Sequence, residues 1–166
     1  MGITNDGDST EKELVSLVSN AKMMPKNSPL GDVEVLVDGL PYPIEVKKAT
    51  LNQVRAYKYT TLVAKDPTVD YWVVIPAHEA LKMARGRKGQ HAINSFECLG
   101  LGKASRKAFE SFRCNAEDLE SRIEQAIIES NSPQNQVFKN FAESVRKSVQ
   151  RLSEVHQTEM KMLLAG

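Results

Sequence analysis

The sequence predicts an α/β protein, in which a central sheet is flanked by helices and followed by a helical C-terminal segment. Three observations indicate this class. Residues 32–46 alternate apolar with other side chains on both sides of Asp38-Gly39, as in a β-hairpin. Residues 71–75 form a nearly continuous apolar run, which is typical of a strand covered on both faces. From Ala104 onward strand patterns disappear, and apolar residues recur at helical spacing.

Composition sets limits on the partners and the compartment. The chain has 166 residues, of which 41% are hydrophobic, which suits one compact domain with an appendage. Its 22 basic and 21 acidic residues nearly balance, so a basic surface for nucleic acid has to be local. Cys98 and Cys114 lack CxxC spacing, which argues against a zinc site or a disulfide scaffold and fits a reducing compartment.

The chain is expected to be cytoplasmic and not to associate with membranes. Its N-terminal residues are polar, unlike those of a signal peptide. It contains no apolar run near the roughly 18 residues that span a bilayer.

Local patterns predict where the helices begin. Thr10-x-x-Glu13 is a capping-box pattern and predicts a first helix that begins near Thr10 and is ended by Pro25. Thr50-x-x-Gln53 is a second such pattern and predicts a helix from Thr50 to about Ala64. The remaining predicted elements are a short helix at 78–84, a last strand at 93–99, and helices at 104–114, 115–130 and from Pro133 onward. These elements divide the chain into a core, residues 1–103, and a helical extension, residues 104–166.

The hairpin places polar side chains together. A two-residue turn at Asp38-Gly39 pairs Val37 with Leu40, and the same register puts Asp32 opposite Glu45. Lys47 lies two residues beyond Glu45 and so projects from the same face. The opposite face is apolar throughout, although prolines at positions 41 and 43 leave room for a bulge.

Two carboxylates so placed need a cation. They repel by roughly 3 kcal/mol at 5 Å and an effective dielectric of about 20. Lys47 supplies part of the compensation, and a hard divalent cation such as Mg²⁺ supplies more while leaving positions for water and phosphate. From spacing alone, an ordinary ion cluster on a solvated sheet face is an equally good explanation.

The pattern Asp32…Glu45-Val46-Lys47 resembles the PD-(D/E)xK nuclease superfamily, most closely archaeal Holliday-junction resolvases and RecB-like nucleases. The resemblance covers roughly residues 8–100. It implies that Asp32 and Glu45 hold the metal, that Lys47 assists the chemistry, and that Glu11 or Glu13 on the first helix completes the site.

Two further details bear on this resemblance. Gln53-x-x-x-Tyr57 resembles the Gln-x-x-x-Tyr element of RecB-like members, which implies a catalytic role for Gln53; Tyr57 is either a packing residue or a contact to nucleic acid. The chain has Gly31 where the superfamily name has Pro, and the segment after Ala104 has no counterpart in the superfamily.

The resemblance implies a restriction-endonuclease-like core with a mixed sheet, and Mg²⁺-dependent cleavage of DNA in which Mn²⁺ can substitute. Branched-DNA (Holliday-junction-like), restriction and repair nucleases all fit. The alternatives are a nucleic-acid-binding protein that no longer cuts and an assembly protein, both on the same fold. A cluster of basic residues around two glycines contacts DNA phosphates or forms a solvated loop: Lys82, Arg85, Arg87 and Lys88. The C-terminal helices pack on the core or pair with a second subunit, and a homodimer would suit a nuclease that cuts two strands.

Overall fold

The fold is built on a mixed β-sheet with helices on both faces. The computed structural model describes residues 6–25, 31–51, 61–66, 68, 70–83 and 100–165. The helices are α1 (Asp6–Leu17), α2 (Ala77–Met83), α3 (Leu119–Ser130) and α4 (Pro133–Ala165). The strands are β1 (Ala21–Met23), β2 (Val33–Val37), β3 (Leu40–Lys48), β4 (Thr50–Leu51), β5 (Thr61–Asp66), β6 (Tyr71–Pro76), β7 (Gly102–Lys103) and β8 (Arg113–Cys114).

Within these residues the larger sheet has the strand order β1-β2-β3-β5-β6-β8. β3 and β5 are parallel, and the other neighbouring strands are antiparallel, so the sheet is mixed. β4 and β7 form a separate two-stranded antiparallel sheet. The predicted α/β class, with a central sheet between helices, is confirmed.

The predicted hairpin is confirmed in its turn and its register. Asp38 and Gly39 have φ values of 52° and 78°, the left-handed pair that a two-residue hairpin turn needs. Val37 pairs with Leu40, and the register continues without a bulge to Val33 and Ile44. The two prolines are tolerated because β5 joins β3 only from Ile44 onward, so the earlier half of β3 has a single neighbouring strand.

Each face of the sheet packs against its own set of helices. On one face, valines of β2 and β3 form a core with Trp72 of β6, with α1 and with α3. On the other face, β5 and β6 form a second core with α2 and with the segment after Leu101, including Phe109. Strand alternation explains the division, since Trp72 and Val74 face one core and Val73 and Ile75 face the other.

The predicted helix from Thr50 to Ala64 is wrong at both of its described ends. Thr50–Leu51 is strand β4, and Thr61–Asp66 is β5, a central strand. Leu62 and Ala64 are buried in one core and Val63 in the other, so β5 is apolar on both faces. A short run of this kind carries no period that separates a strand from a helix. Residues 52–60 lie outside the described part.

The first predicted helix is also corrected. α1 begins at Asp6, and Thr10 is buried in its interior, so the Thr10-x-x-Glu13 pattern does not cap the helix. α1 ends at Leu17, well before the predicted end at Pro25, and Ala21 begins the edge strand β1. Tertiary pairing with β2 therefore overrides the local helical pattern near Ala21.

Residues beyond Ala104 do contain a strand. The predicted helix to Cys114 is instead a 3-10 helix at Lys107–Phe112 followed by β8, which pairs with β6. The predicted helix end at Ser130 is confirmed, as is the start at Pro133, where the Asn135 N–H donates to the Ser132 hydroxyl at 3.4 Å. A division at residue 103 therefore places one strand of the sheet and one core helix, α3, in the extension.

The predicted strand at 71–75 is confirmed as β6, and α2 falls where a short helix was predicted. The predicted strand at 93–99 lies outside the described residues. Among the helices described, none combines the length and the apolar character needed to cross a membrane.

Candidate active site

Asp32 is fixed beside β3 by two hydrogen bonds. The regular ladder between β2 and β3 ends at Val33 and Ile44, one residue short of the predicted pair Asp32 and Glu45. Beyond it, the Asp32 N–H donates to the Ile44 carbonyl at 3.1 Å. The Val46 N–H donates to Asp32 Oδ2 at 2.9 Å, so the Asp32 side chain takes the place of a backbone acceptor beyond the end of the ladder. These bonds to the residues before and after Glu45 place Asp32 next to Glu45.

Glu45 is a buried carboxylate with a lysine beside it. The residue is 5% exposed, and Lys47 Nζ lies 3.4 Å from Glu45 Oε1. Burial disfavours a carboxylate unless an opposite charge or hydrogen bonds compensate, and Lys47 provides such a charge. The Lys47 side chain keeps 29% of its surface exposed, so its ammonium group lies between the buried carboxylate and solvent.

The predicted alternation along β3 is observed. Glu45 pairs with Leu62 and Lys47 with Ala64, and both of these partners face the second core. The carboxylate and the ammonium group thus share the face of the sheet that carries Leu62. Lys48 pairs with Lys65 and projects from the opposite face, where it is exposed.

Glu13 forms an ion pair away from Asp32 and Glu45. Its carboxylate forms an ion pair with Lys65, whose ammonium group also lies 5.6 Å from the centre of the Trp72 ring. Trp72 belongs to the core on the face opposite Glu45, so this ion pair is on the other side of the sheet. Glu11 is half-buried on α1. Among the described residues no three Asp, Glu, His or Cys side chains form a group that could hold a metal.

Most of the other predicted site residues cannot be placed. Gln53, Tyr57, Arg85, Arg87 and Lys88 lie outside the described residues. Lys82, the described member of the predicted basic cluster, lies on α2 with Nζ 3.4 Å from Glu79 Oε1 and 5.7 Å from the centre of the Phe138 ring. The Lys82 ammonium group therefore interacts with Glu79 of α2 and with Phe138 of α4, although half of its side chain remains exposed.

A second basic segment was missed in the sequence. Lys103 pairs with Thr50, and the Ala104 N–H donates to the Ala49 carbonyl at 2.7 Å. These contacts place a segment with three basic residues next to Ala49 and Thr50, beyond the end of β3: Lys103, Arg106 and Lys107. The Arg106 guanidinium donates to the Leu101 carbonyl at 2.5 Å and lies 5.6 Å from the centre of the Phe109 ring. The sequence does show three basic residues within five positions, 103–107. They were overlooked because this segment was predicted to belong to a helix that begins at Ala104.

Comparison with known proteins adds no assignment: no protein-family model matches the chain, and no curated protein matches its sequence. Its function has to be inferred from the fold and from the chemistry of Asp32, Glu45 and Lys47.

Proposed function

We propose that the chain is a Mg²⁺-dependent nuclease that hydrolyses phosphodiester bonds of DNA, built on a restriction-endonuclease-like core. The observation that carries the proposal is the grouping at β3: Asp32 beside the strand, Glu45 buried within it, and Lys47 Nζ 3.4 Å from the Glu45 carboxylate. The surroundings of the motif support it, because the acidic residues lie where a hairpin strand meets a parallel central strand.

Asp32 and Glu45 are the residues that would hold the metal. Their donor atoms are carboxylate oxygens, the type that Mg²⁺ prefers and Mn²⁺ accepts. One oxygen of Asp32 accepts the Val46 N–H, which fixes the orientation of the carboxylate. When bound, such an ion polarises a phosphoryl oxygen and lowers the pKa of a coordinated water. Glu11 or Glu13 stays the proposed third acidic residue; both lie on α1, which packs on the face of the sheet opposite Glu45, and Glu13 is ion-paired with Lys65.

Lys47 is the proposed cationic catalyst. Its ammonium group is held by Glu45 and is partly exposed, so it can meet a phosphate that approaches from solvent. A cation fixed in that position stabilises the negative charge that develops on the phosphoryl oxygens. Because its position depends on an ion pair with a proposed metal-binding residue, Lys47 and the metal site would be organised together.

Binding of DNA would depend on cations around this face. The proposed contacts are to backbone phosphates, which give affinity without sequence specificity. The proposal keeps Gln53 as a catalytic residue and Tyr57 as a contact to DNA. The basic residues proposed to meet phosphates are Lys82, Arg85, Arg87 and Lys88 of the first cluster and Lys103, Arg106 and Lys107 of the second.

The proposal is tested by two conservative substitutions and a matched control. Asp32→Asn and Glu45→Gln each remove an anionic ligand with little change in shape and should reduce cleavage at millimolar Mg²⁺ by at least about 100-fold. The control is Glu34→Gln, because Glu34 lies on β2 but is ion-paired at 3.2 Å with exposed Lys22. It should cleave at close to the wild-type rate. Cleavage by either site variant at the wild-type rate would remove these carboxylates from the mechanism.

A second candidate is a protein of the same fold that binds nucleic acid, or serves assembly, without cutting. One observation favours it: Asp32 and Glu45 both have partners within the chain, Val46 and Lys47, as in a purely structural ion cluster. Thermal unfolding with added Mg²⁺ separates the two candidates. A metal site predicts a rise in the unfolding temperature that Glu45→Gln abolishes, whereas a structural cluster predicts no response to the metal.

A further inference from the structure

Among the side chains of helix α4 that the structure describes, those that pack against a core lie near its beginning. Phe138 and Ala142 pack against the second core, and Lys139 beside them is buried. The helix nevertheless continues to Ala165, for a total of 33 residues. Beyond Ala142, seven of the described large apolar side chains are 44–83% exposed: Val145, Leu152, Val155, Met160, Met162, Leu163 and Leu164. A helix gains most of its stability from burying an apolar face, so an exposed face of this length indicates a missing partner.

Four of these side chains form a regular stripe. Val145, Leu152, Val155 and Met162 follow the spacing of the two core positions of a heptad repeat. Ser148 and Glu159 occupy the remaining two core positions of the same pattern. We call these six residues the α4 stripe.

The pattern of the α4 stripe indicates what covers it. In chain order the stripe is apolar, polar, apolar, apolar, polar, apolar, and this order is the same when it is reversed. Reversal matches Ser148 with Glu159 and each apolar residue with another apolar residue. We propose that the stripe binds the α4 stripe of a second copy of this chain in antiparallel orientation. Val145 then lies opposite Met162 of the second copy, and Leu152 lies opposite Val155.

The two polar positions favour this orientation. In a parallel pair, the Glu159 carboxylates of the two copies would face each other across the seam and repel. In the antiparallel pair each Glu159 faces Ser148, whose hydroxyl group can donate a hydrogen bond to the carboxylate. Antiparallel pairing thus satisfies both polar side chains.

The α4 stripe supplies most of the area that a dimer needs. At roughly 100 Å² of apolar surface for each exposed side chain, its four apolar residues supply about 400 Å² per copy and about 800 Å² for two copies. Stable protein interfaces begin at about 1,200 Å², so the side chains that flank the stripe have to supply the remainder. Burial of stems and backbone along a seam of about 27 Å adds to this value.

The charges of α4 fit a protein partner better than a lipid surface. Helices that lie on membranes carry mostly Lys and Arg on the polar face. The exposed side of α4 mixes both signs, with a Glu143–Lys147 ion pair at 3.1 Å and with Glu154 close to Arg151 in sequence. This proposal concerns assembly and does not depend on the nuclease activity.

The first experiment measures the mass of the full-length protein in solution at micromolar concentration. Wild type should be a dimer, and Leu152→Lys with Val155→Lys should weaken dimerisation at least tenfold and give a monomer. The control, Asn140→Lys with Gln157→Lys, adds the same charge to exposed positions outside the stripe and should remain a dimer. Circular dichroism checks that both variants keep α4 helical. A monomeric wild type, or equal dimerisation of both variants, would overturn the proposal.

A second experiment determines the orientation and tests the lipid alternative. In a Cys98→Ser background, chains with Val145→Cys should form disulfides with chains carrying Met162→Cys, because a disulfide needs Cα atoms within about 7 Å. Val145→Cys alone should not cross-link to itself, and the opposite result would show parallel pairing. A wild type that stays monomeric but binds vesicles of anionic phospholipid would identify α4 as a membrane-surface helix instead.

Discussion

Replacement of Lys47 by alanine removes the cation beside a buried carboxylate. At the observed 3.4 Å, the attraction between Lys47 and Glu45 is about 5 kcal/mol at an effective dielectric of 20 and about 1 kcal/mol in bulk water. The lysine side chain is 29% exposed, which lies between these two environments. The variant also avoids the cost of partly desolvating an ammonium group on folding, which offsets part of the loss. We therefore expect Lys47→Ala to lower the free energy of unfolding by about 2 kcal/mol.

Lys48→Ala is the matched control for this substitution. Lys48 is the next residue of β3, but it lies on the opposite face and is exposed. Substitutions at exposed positions usually change the free energy of unfolding by less than about 0.5 kcal/mol. Urea denaturation of the two variants should therefore separate them clearly.

The same pair of variants tests catalysis. Lys47→Ala should reduce the single-turnover rate of DNA cleavage by about 100- to 1,000-fold, because it removes a contact to developing negative charge. Binding of metal and DNA should largely persist, since Lys47 is not a proposed metal ligand. Lys48→Ala should retain most of the activity. If Lys48→Ala were inactive and Lys47→Ala active, the assignment of the catalytic face of β3 would be refuted.

Three further predictions follow from buried or strained positions. Burial lowers the pKa of His78, so the unfolded chain binds its proton more readily and stability should fall as the pH drops below the ordinary histidine value of about 6.5; the same titration of His78→Asn should show a smaller fall. Gly31→Ala would put a Cβ atom 3.1 Å from the Ile44 carbonyl oxygen, so calorimetry should show that the free energy of unfolding falls by about 1–3 kcal/mol. The same variant should cleave DNA more slowly, because the crowding displaces Asp32. Ala49 has a left-handed φ of 62°, so Ala49→Gly should raise the free energy of unfolding by about 0.5–1 kcal/mol in urea denaturation; an unchanged or lower value would contradict the strain assigned to this position.

The hairpin shows what the sequence could predict. The turn at Asp38-Gly39 determines the register together with the valines at alternate positions of β2, because a slip by one residue would expose Val33 and Val35, which are buried. That register was sufficient to place Glu45 and Lys47 on one face, as observed. β6 and the start of α4 at Pro133 were equally accessible, since each depends on local chemistry.

Features that depend on distant partners were not predictable in this way. β5 is buried on both faces, so its apolar run has no distinguishing period, and β8 is two residues that form a strand only because β6 lies beside them. The two capping-box patterns are local preferences that pairing and packing overrode. In the site, the hydrogen bond from Val46 to Asp32 joins residues 14 positions apart. On the other side of the sheet, the ion pair of Glu13 with Lys65 joins residues 52 positions apart. Only the folded chain brings these groups together.

The central claim is that Asp32, Glu45 and Lys47 form a metal-dependent site that cuts DNA. The most direct measurement incubates the purified wild-type protein with branched, duplex and single-stranded DNA in the presence of Mg²⁺, Mn²⁺ or EDTA. We expect cleavage of at least one of these substrates with either metal, none with EDTA, and none by Glu45→Gln under the same conditions. Absence of cleavage of every substrate with both metals, or cleavage that persists unchanged in EDTA, would contradict the claim.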